Sequence, residues 1–216
     1  MTLYIAPIVE GQTEELCLER ILHRVWNDVF ASPHRLQVLK PIRGHRSSLA
    51  RVGHPELEQR VGEAQLELAR RLSKDALGRG LVLLLLDADK DCPAALGPAL
   101  LARAVAIRSD LDISCVLAKR QLENWFKAAG ESLRGVCGLP DDVVAPPDPE
   151  DGSGATWLTQ QLQRHNTQAK YKKPGDGVKL AVAMDVALCR KNSPSFDNLC
   201  RELEARVTPH GSGSGA

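Results

Sequence analysis

The sequence predicts an α/β fold in which a mainly parallel β-sheet is flanked by helices and followed by a helical C-terminal extension. Three observations support this prediction. Short apolar runs alternate with longer amphipathic segments through the first two thirds of the 216 residues, a pattern typical of parallel sheets covered by helices. The run LVLLLL at residues 81–86 is long and apolar enough for a buried central strand. Beyond residue 138 only helical patterns recur.

The elements of the first half follow from local patterns. A strand is predicted at residues 3–9, and a helix at residues 13–30 in which Thr13 would cap the N-terminus. A second strand is predicted at residues 36–42, although Pro41 lacks the amide donor that a ladder needs. The segment GHRSSLARVG at residues 44–53 is polar, basic and rich in small residues, which indicates a loop. The remaining predicted elements are a helix at 55–72, the strand at 81–86, a helix at 94–107, a strand at 112–117 and a helix at 121–129.

A change in composition at Gly138 divides the chain. We predict a core at residues 1–137 and a linker with a helical extension at residues 138–209, because LPDDVVAPPDPEDGSG cannot hold regular structure. The tail at residues 210–216 is interpreted as a tag or linker remnant. The extension contains predicted helices at 155–164, 178–190 and 195–207, with the basic loop NTQAKYKKPGDG between the first two.

Composition limits the class of protein. The net charge of +1 argues against a protein that coats nucleic acid by charge alone. The apolar run near the N-terminus lacks a basic flank and is too short for a signal peptide or membrane span, so we expect a cytoplasmic protein without a membrane partner. The six cysteines form no CxxC pair, which favours reduced, buried thiols over a zinc site.

Acidic residues follow three of the predicted strands. Glu10 ends the first strand in VEGQTEE, Asp87 and Asp89 end the central strand in LDAD, and Glu123 follows the fourth strand in QLENWF. The carboxyl ends of parallel strands form the functional crevice of an open sheet. We therefore expect these carboxylates to share one crevice.

Clustered carboxylates need a compensating charge. Asp87 and Asp89 are two residues apart, so their side chains point to the same side of an extended strand and would raise each other's pKa. A hard divalent cation such as Mg²⁺ is the simplest compensation. Glu14 lies one helical turn after Glu10, and Gly11 permits a sharp turn into the helix. One or two such ions would polarise a phosphoryl oxygen and activate water.

Simpler interpretations of the same acids remain open. Glu14 stands in a first helical turn, where the helix dipole favours an acid without any ligand. Asp87 and Asp89 could be capping aspartates, and Asp91 is expected to cap the following helix. Glu123 precedes Trp125, so its position could reflect core packing.

The combination of these motifs resembles the Toprim domain found in topoisomerases, primases and the overcoming-lysogenization-defect nucleases. VEGQTEE, LLDAD and LENWF resemble more closely a compact Toprim-like family of prokaryotes, often encoded beside an ATPase and associated with defence against phage. The similarity extends from residue 3 to about residue 130. Each motif is short, and only their order and spacing are specific.

The resemblance implies a role for each acid. Glu10 corresponds to the signature glutamate, a metal ligand or general acid/base, and Asp87 with Asp89 would bind Mg²⁺ or Mn²⁺. In the nuclease branch a second glutamate one turn later also contacts metal, and Glu14 occupies that position. Glu123 matches the acidic position after the next strand, which completes a predicted set of five ligands.

Basic residues are predicted to hold a phosphodiester substrate. Lys119 ends the fourth strand at the crevice and is the expected catalytic cation. Contacts to nucleic acid are expected from two segments, GHRSSLAR and KYKKPGDGVK, in which Tyr171 could stack on a base or sugar. The predicted contact residues are Arg46, Arg51, Lys170, Tyr171, Lys172 and Lys173.

We therefore predict a metal-dependent nuclease that hydrolyses DNA or RNA, acting with an ATPase partner in prokaryotic antiviral defence, with self-association as a further possibility. An alternative is a catalytically inert metal-binding or partner-docking module in which the C-terminal helices and an exposed Trp157 contact the ATPase. A phospho-acceptor receiver fits less well, because it needs paired acids where Glu10 is followed by Gly11.

Overall fold

A parallel β-sheet lies at the centre of the computed structural model, which describes residues 1–207. Its strands within that range are β1 (Thr2–Val9), β2 (Arg35–Val38), β3 (Ile42–Arg43), β4 (Arg79–Asp87) and β5 (Ile113–Ala118). The spatial order is β2-β1-β4-β5, with β3 paired to the end of β1, and every pair is parallel. The predicted α/β class, with helices flanking the sheet and a helical C-terminal region, is confirmed.

Helices surround this sheet and make up most of the C-terminal region. A π-helical turn (Val25–Val29) continues the first helix, and two 3₁₀ turns (Gly130–Leu133 and Val136–Gly138) follow the fifth. The α-helices are α1 (Gln12–Arg24), α2 (Arg46–Ala50), α3 (Glu56–Leu72), α4 (Pro93–Ile107), α5 (Glu123–Ala128), α6 (Gly154–Gln163), α7 (Gly175–Ala183), α8 (Val186–Asn192) and α9 (Pro194–Val207).

The predicted second strand is divided into β2 and β3. Both parts pair with β1, and the amide of Leu39 still donates to the carbonyl of Ile5 at 2.8 Å. The ladder then stops until Ile42. Pro41 lies in the gap, and its lack of an amide donor accounts for the interruption.

Two hydrophobic clusters cover the two faces of the sheet, which explains why β4 is apolar on both sides. Leu81, Leu83 and Leu85 belong to the cluster beneath α1 and the C-terminal helices, whereas the intervening residues of the strand belong to the cluster beneath α3 and α4. Side chains of a strand alternate between faces, so a strand buried on both faces needs a continuous apolar run.

The C-terminal helices complete one of these clusters. Trp125 packs edge-to-face on Phe196 with ring centroids 5.1 Å apart, and both rings are fully buried. Trp157, expected to be exposed, is partly buried against the same cluster. Residues 139–153 form neither helix nor strand, as predicted. The division at residue 138 stays a prediction, but hydrophobic side chains from both sides of it pack together.

Several local predictions are wrong. Thr13 is buried and Gly11 takes the N-cap position of α1 without any side-chain cap. The predicted loop at residues 44–53 contains α2, whose Leu49 is buried in the core. The predicted helix at 178–190 is two helices, because Asp185 accepts hydrogen bonds from the amides of residues 187 and 188 and so begins α8.

The described residues also bear on the expectations from composition. No helix within residues 1–207 is long and apolar enough to cross a membrane. All six cysteines are free thiols, and three of them are buried: Cys17, Cys189 and Cys200. Residues 208–216, which include the predicted tag remnant, lie outside the part that the structure describes.

Candidate active site

A cavity of about 350 Å³ opens where β1 and β4 end. It brings together four of the predicted metal ligands, which come from two neighbouring strand ends and from the first turn of α1. One lysine and two side-chain amides also contribute to its wall. The lining residues are Glu10, Gly11, Gln12, Thr13, Glu14, Asp87, Asp89, Gln121, Lys173 and Pro174.

Glu10 follows the last residue of β1 and carries an unsatisfied oxygen. Its Oε2 atom is buried and has no hydrogen-bond partner within residues 1–207. Burial raises the pKa of Glu10, and the negative charges of Asp89 and Glu14 raise it further. A buried carboxylate oxygen without a donor is costly and indicates a site built for a proton or a cation.

Glu14 folds back over the entrance of α1. A Cβ atom at position 11 would lie 2.5 Å from Glu14 Oε2, so the glycine leaves the space that this carboxylate fills. Glu14 is only 4% exposed. Its burial raises its pKa, which Glu123 raises further and Lys173 lowers. The helix dipole alone does not require a buried acid, so the position favours a functional role.

Asp87 and Asp89 both line the cavity, but their environments differ. Asp87 ends β4 and accepts a hydrogen bond from the amide of Leu122 at 2.8 Å. Burial raises its pKa well above the usual value, and the charges of Glu14 and Glu123 add to that effect. Asp89 is exposed, with a φ of 51° in the left-handed region, where an aspartate is tolerated better than most side chains.

Arg46 holds the loop that carries these aspartates. It donates to the carbonyl of Asp87 at 2.7 Å and to that of Ala88 at 2.9 Å, and it contacts the carboxylates of Asp89 and Asp91. Asp91 therefore pairs with Arg46 and does not cap α4, whose N-cap position is Cys92. Arg46, predicted to contact nucleic acid, has its donors directed into its own protein.

Glu123 lies behind the cavity and is fully buried. Its Oε1 atom accepts from Lys173 Nζ at 2.7 Å and from the Tyr171 hydroxyl at 3.5 Å. Its Oε2 atom has no hydrogen-bond partner among the described residues. Burial raises the pKa of Tyr171, and Glu123 raises it further, so the phenol stays protonated and donates to the carboxylate. The Tyr171 ring packs against the hydrophobic cluster and is partly buried. Its predicted stacking on nucleic acid stays a prediction.

Asn124 is a positioning residue that the sequence patterns did not reveal. Its buried side-chain amide donates to the carbonyls of Pro149 and Gly152 and accepts from the amides of Gln121 and Gly154. These bonds fix the acid-rich connection against α5, beside Glu123. The only signal in the sequence is a polar residue in the first turn of the otherwise apolar NWF run.

Other predicted residues lie away from this cavity. Lys119 lines a separate cavity of about 600 Å³ between α4, β5 and α9, and its backbone amide donates to Ser195 Oγ. Arg51, Lys170 and Lys172 are exposed and do not line the carboxylate cavity. Their contacts with nucleic acid stay predictions. Lys173 is the lysine that the structure brings to the acids.

The donor chemistry of the site fits a divalent cation. Carboxylate oxygens are the ligands that Mg²⁺ and Mn²⁺ prefer, and two of those oxygens are buried without partners within residues 1–207. In the part of the chain that is described, no group of three or more His, Cys, Asp or Glu side chains is already arranged around one ion position. Side chains would therefore have to adjust to complete the coordination of an ion.

Comparison with protein families identifies the chain's relatives. A family model described as a domain of unknown function, DUF4276, matches residues 9–204. The match covers most of the chain, including every acid of the cavity, so the protein belongs to the DUF4276 family. Neither the curated proteins nor the solved structures gave a match to this chain.

Proposed function

We propose that this protein is a metal-dependent nuclease that hydrolyses phosphodiester bonds of DNA or RNA. One observation carries the proposal: Glu10, Glu14, Asp87 and Asp89 converge on a single open cavity at the carboxyl ends of β1 and β4. Buried carboxylates that repel one another reduce the stability of the fold, and such clusters are found mainly at functional sites. The Toprim-like order of VEGQTEE, LLDAD and LENWF agrees with this chemistry.

The carboxylates would hold Mg²⁺ or Mn²⁺, with Glu10, Glu14, Asp87 and Asp89 lining the cavity and Glu123 behind them. Bound there, the ion supplies a Lewis acid for the phosphoryl group and lowers the pKa of water. Arg46 keeps the Asp87 and Asp89 carboxylates in place, because it donates hydrogen bonds to the backbone carbonyls of Asp87 and Ala88.

Glu10 is suited to move the proton in this reaction. Burial raises the pKa of Glu10, which makes its carboxylate a stronger base than that of an exposed glutamate. Water loses a proton to Glu10 as its oxygen bonds to phosphorus, and the bond from phosphorus to the leaving nucleotide oxygen breaks. That oxygen takes a proton from solvent, and Glu10 releases its own proton to solvent. Lys173, which also lines the cavity, can neutralise charge on the phosphoryl oxygens.

A cleavage assay with matched variants tests the proposal. Purified protein is incubated with plasmid, single-stranded DNA and tRNA in Mg²⁺ or Mn²⁺, and in EDTA. We expect cleavage only with metal, and a loss of about 100-fold or more in Glu10→Gln and Asp89→Asn. The control is Glu19→Gln on the exposed face of α1. Cleavage in EDTA, or full activity in Asp89→Asn, would contradict the mechanism.

A second candidate is an inert module that uses the same fold to bind a partner. The ion pair between Lys173 and Glu123 favours it, because a lysine already neutralises part of the acidic cluster. Absence of cleavage in every condition above, together with undiminished partner binding in Asp89→Asn, would select this candidate.

The cellular setting belongs to the same proposal. The Toprim-like resemblance suggests a cytoplasmic effector of prokaryotic antiviral defence that works with an ATPase. With a net charge of +1, the chain offers little overall electrostatic attraction for nucleic acid. We therefore expect the partner, or a second copy of the chain, to contribute to substrate binding. Co-purification from the native host, followed by mass spectrometry, tests whether an ATPase accompanies the protein.

A further inference from the structure

The carboxylates of the site fall into two groups. The inner carboxylates are Glu14, Asp87 and Glu123, which surround Lys173 and of which Glu123 raises the pKa of the other two. The outer carboxylates are Glu10 and Asp89, which interact with each other and with Arg46 at the rim. Glu14 and Asp87 link the two groups, because the charge of Glu14 raises the pKa of Glu10 and the charge of Glu10 raises the pKa of Asp87.

The inner carboxylates already have a cation. Lys173 Nζ lies 2.7 Å from Oε1 of the fully buried Glu123. Burial opposes the charge on Lys173. The hydrogen bond to Glu123 and the negative charges of Glu123, Asp87 and Glu14 outweigh that effect and raise the pKa of Lys173. Lysine therefore stays charged among three acids. One unit of positive charge occupies the place where an inner metal ion would otherwise be expected.

The segment that carries Lys173 is fixed by the surrounding structure. The amide of Tyr171 donates to Thr159 Oγ1 at 3.2 Å, and its hydroxyl contacts Glu123. The amide of Lys172 donates to Asp176 Oδ2 at 2.9 Å, which joins the segment to the first turn of α7. These bonds hold the residues that precede Lys173 in the chain, so the fold itself places Lys173 beside the acids.

Among the described residues, no cation lies as close to the outer carboxylates as Lys173 lies to Glu123. Glu10 Oε2 is buried without a hydrogen-bond partner in residues 1–207. Arg46 stands nearby, but its shortest bonds go to backbone carbonyls and to Asp91, and its nearest contact with Asp89 is 3.6 Å. A strong cation is therefore needed at the outer carboxylates and not at the inner ones.

We propose that the site binds one divalent cation, at Glu10, Asp89 and Asp87, and that Lys173 is a built-in cation that takes the place of a second. This inference rests on the proposed metal-dependent function and states its stoichiometry. Lys173 is 42% exposed on the cavity wall, so its ammonium can contact a phosphoryl oxygen while it neutralises Glu123. The C-terminal region then contributes a residue to the site itself.

Counting bound ions tests this inference without any substrate. Mn²⁺ is titrated into the full chain, and bound ions are counted by electron paramagnetic resonance and calorimetry. We expect one ion in the wild type and in Lys173→Arg, and two in Lys173→Met, because the freed inner carboxylates can accept another ion. The matched control is Lys172→Met, an exposed neighbour away from the cavity, which should still bind one.

Stability provides a second measurement on the same proteins. Without metal, Lys173→Met should unfold at a lower temperature than Lys172→Met, and Mn²⁺ should recover most of the difference. Two ions in the wild type would overturn the inference, and so would a single ion in a folded Lys173→Met. Either result would leave the proposed metal-dependent function intact. No bound ion in the wild type would overturn both. If Lys173→Met does not fold without metal, refolding it in Mn²⁺ must yield the two-ion form, and failure to do so counts against the inference.

Discussion

Individual side chains in this protein determine whether the acidic site has a defined geometry. Arg46 is the clearest case, because it is 16% exposed and binds the loop from Asp87 to Asp91 at four points. Two of those points are backbone carbonyls, which lysine could not hold together, since only the guanidinium offers a planar fork of donors. The loop must also keep Asp89 at a positive φ.

Removal of Arg46 should therefore cost stability and loosen the site. We expect Arg46→Ala to lower the free energy of unfolding by about 1–3 kcal/mol, since it leaves two partly buried carbonyl groups without their charged donor. Arg46→Lys should recover only part of this loss. Urea unfolding measures the effect. The control is Arg70→Ala, which should change little, because Arg70 is 70% exposed and pairs with Glu67 on the surface of α3. Equal stability of Arg46→Ala and Arg70→Ala would refute the role given to Arg46.

The raised pKa values predict how stability depends on pH. Burial raises the pKa of Glu14 and, more strongly, that of Asp87. The folded protein then binds protons that the unfolded chain has released, so the free energy of unfolding falls as pH rises above the ordinary carboxyl pKa of about 4. We expect the metal-free protein to be more stable at about pH 5.5 than at about pH 7.5.

Glu14→Gln separates this effect from other titrations. Acids whose pKa is lowered, such as Glu56, lose their contribution only at lower pH and do not act in this window. The variant should be more stable than the wild type near neutral pH and should show a flatter pH dependence, whereas Glu19→Gln should follow the wild type. Stability that rises with pH between the two conditions would contradict the assignment.

At the scale of elements, α5 and α6 meet unusually closely. Gly154, the first residue of α6, packs on the backbone of Glu123 so tightly that a Cβ atom there would overlap the carbonyl group. Asn124 holds the same contact by accepting from the amide of Gly154 at 3.1 Å. The position of Glu123 beneath the cavity therefore depends on how the acid-rich connection returns to α5.

Gly154→Ala tests this contact. Because backbone and not a flexible side chain would have to move, we expect a loss of about 1–3 kcal/mol in the free energy of unfolding. Gly62→Ala is the matched control in the interior of α3, where nothing lies within 4 Å of the added Cβ, and it should stabilise the protein by about 0.5–1 kcal/mol. A neutral or stabilising Gly154→Ala would show that the two helices are not packed as described.

Local sequence patterns predicted most elements and the four acids that line the cavity. The apolar run at residues 81–86 specified a buried strand. Glu10 and Asp87 could be placed because Glu10 directly follows β1 and Asp87 ends β4 at the same edge of the sheet. The position of Lys173 could not be predicted, since it depends on the return of a distant loop. Asn124 and Arg46 were likewise missed as positioning residues, because their partners are backbone groups that leave no mark on sequence composition.

At the scale of the whole molecule, the sheet and the C-terminal helices share one hydrophobic cluster. Trp125 and Phe126 lie before residue 138, and their neighbours Phe196, Leu199 and Leu203 lie after it. All five side chains are fully buried. Removal of the C-terminal region would expose an apolar surface far too large for a stable monomer.

A truncated chain tests this dependence. We expect residues 1–137 alone to show no cooperative thermal unfolding and to bind a hydrophobic dye, whereas the full chain unfolds in one transition. The measurement is circular dichroism in both the far and near ultraviolet. A cooperative transition in the fragment would mean that the core and the extension are independent domains.

The central claim is that the carboxylates at the ends of β1 and β4 bind a divalent cation. Calorimetric titration of Mn²⁺ into wild type and Asp87→Asn tests it most directly, because asparagine keeps the oxygen that accepts from the amide of Leu122 and so should preserve the fold. We predict saturable binding to the wild type and to Glu19→Gln, and binding weaker by about 10-fold or more in Asp87→Asn. Wild-type protein that binds no Mn²⁺, or Asp87→Asn that binds it equally well, would contradict the claim.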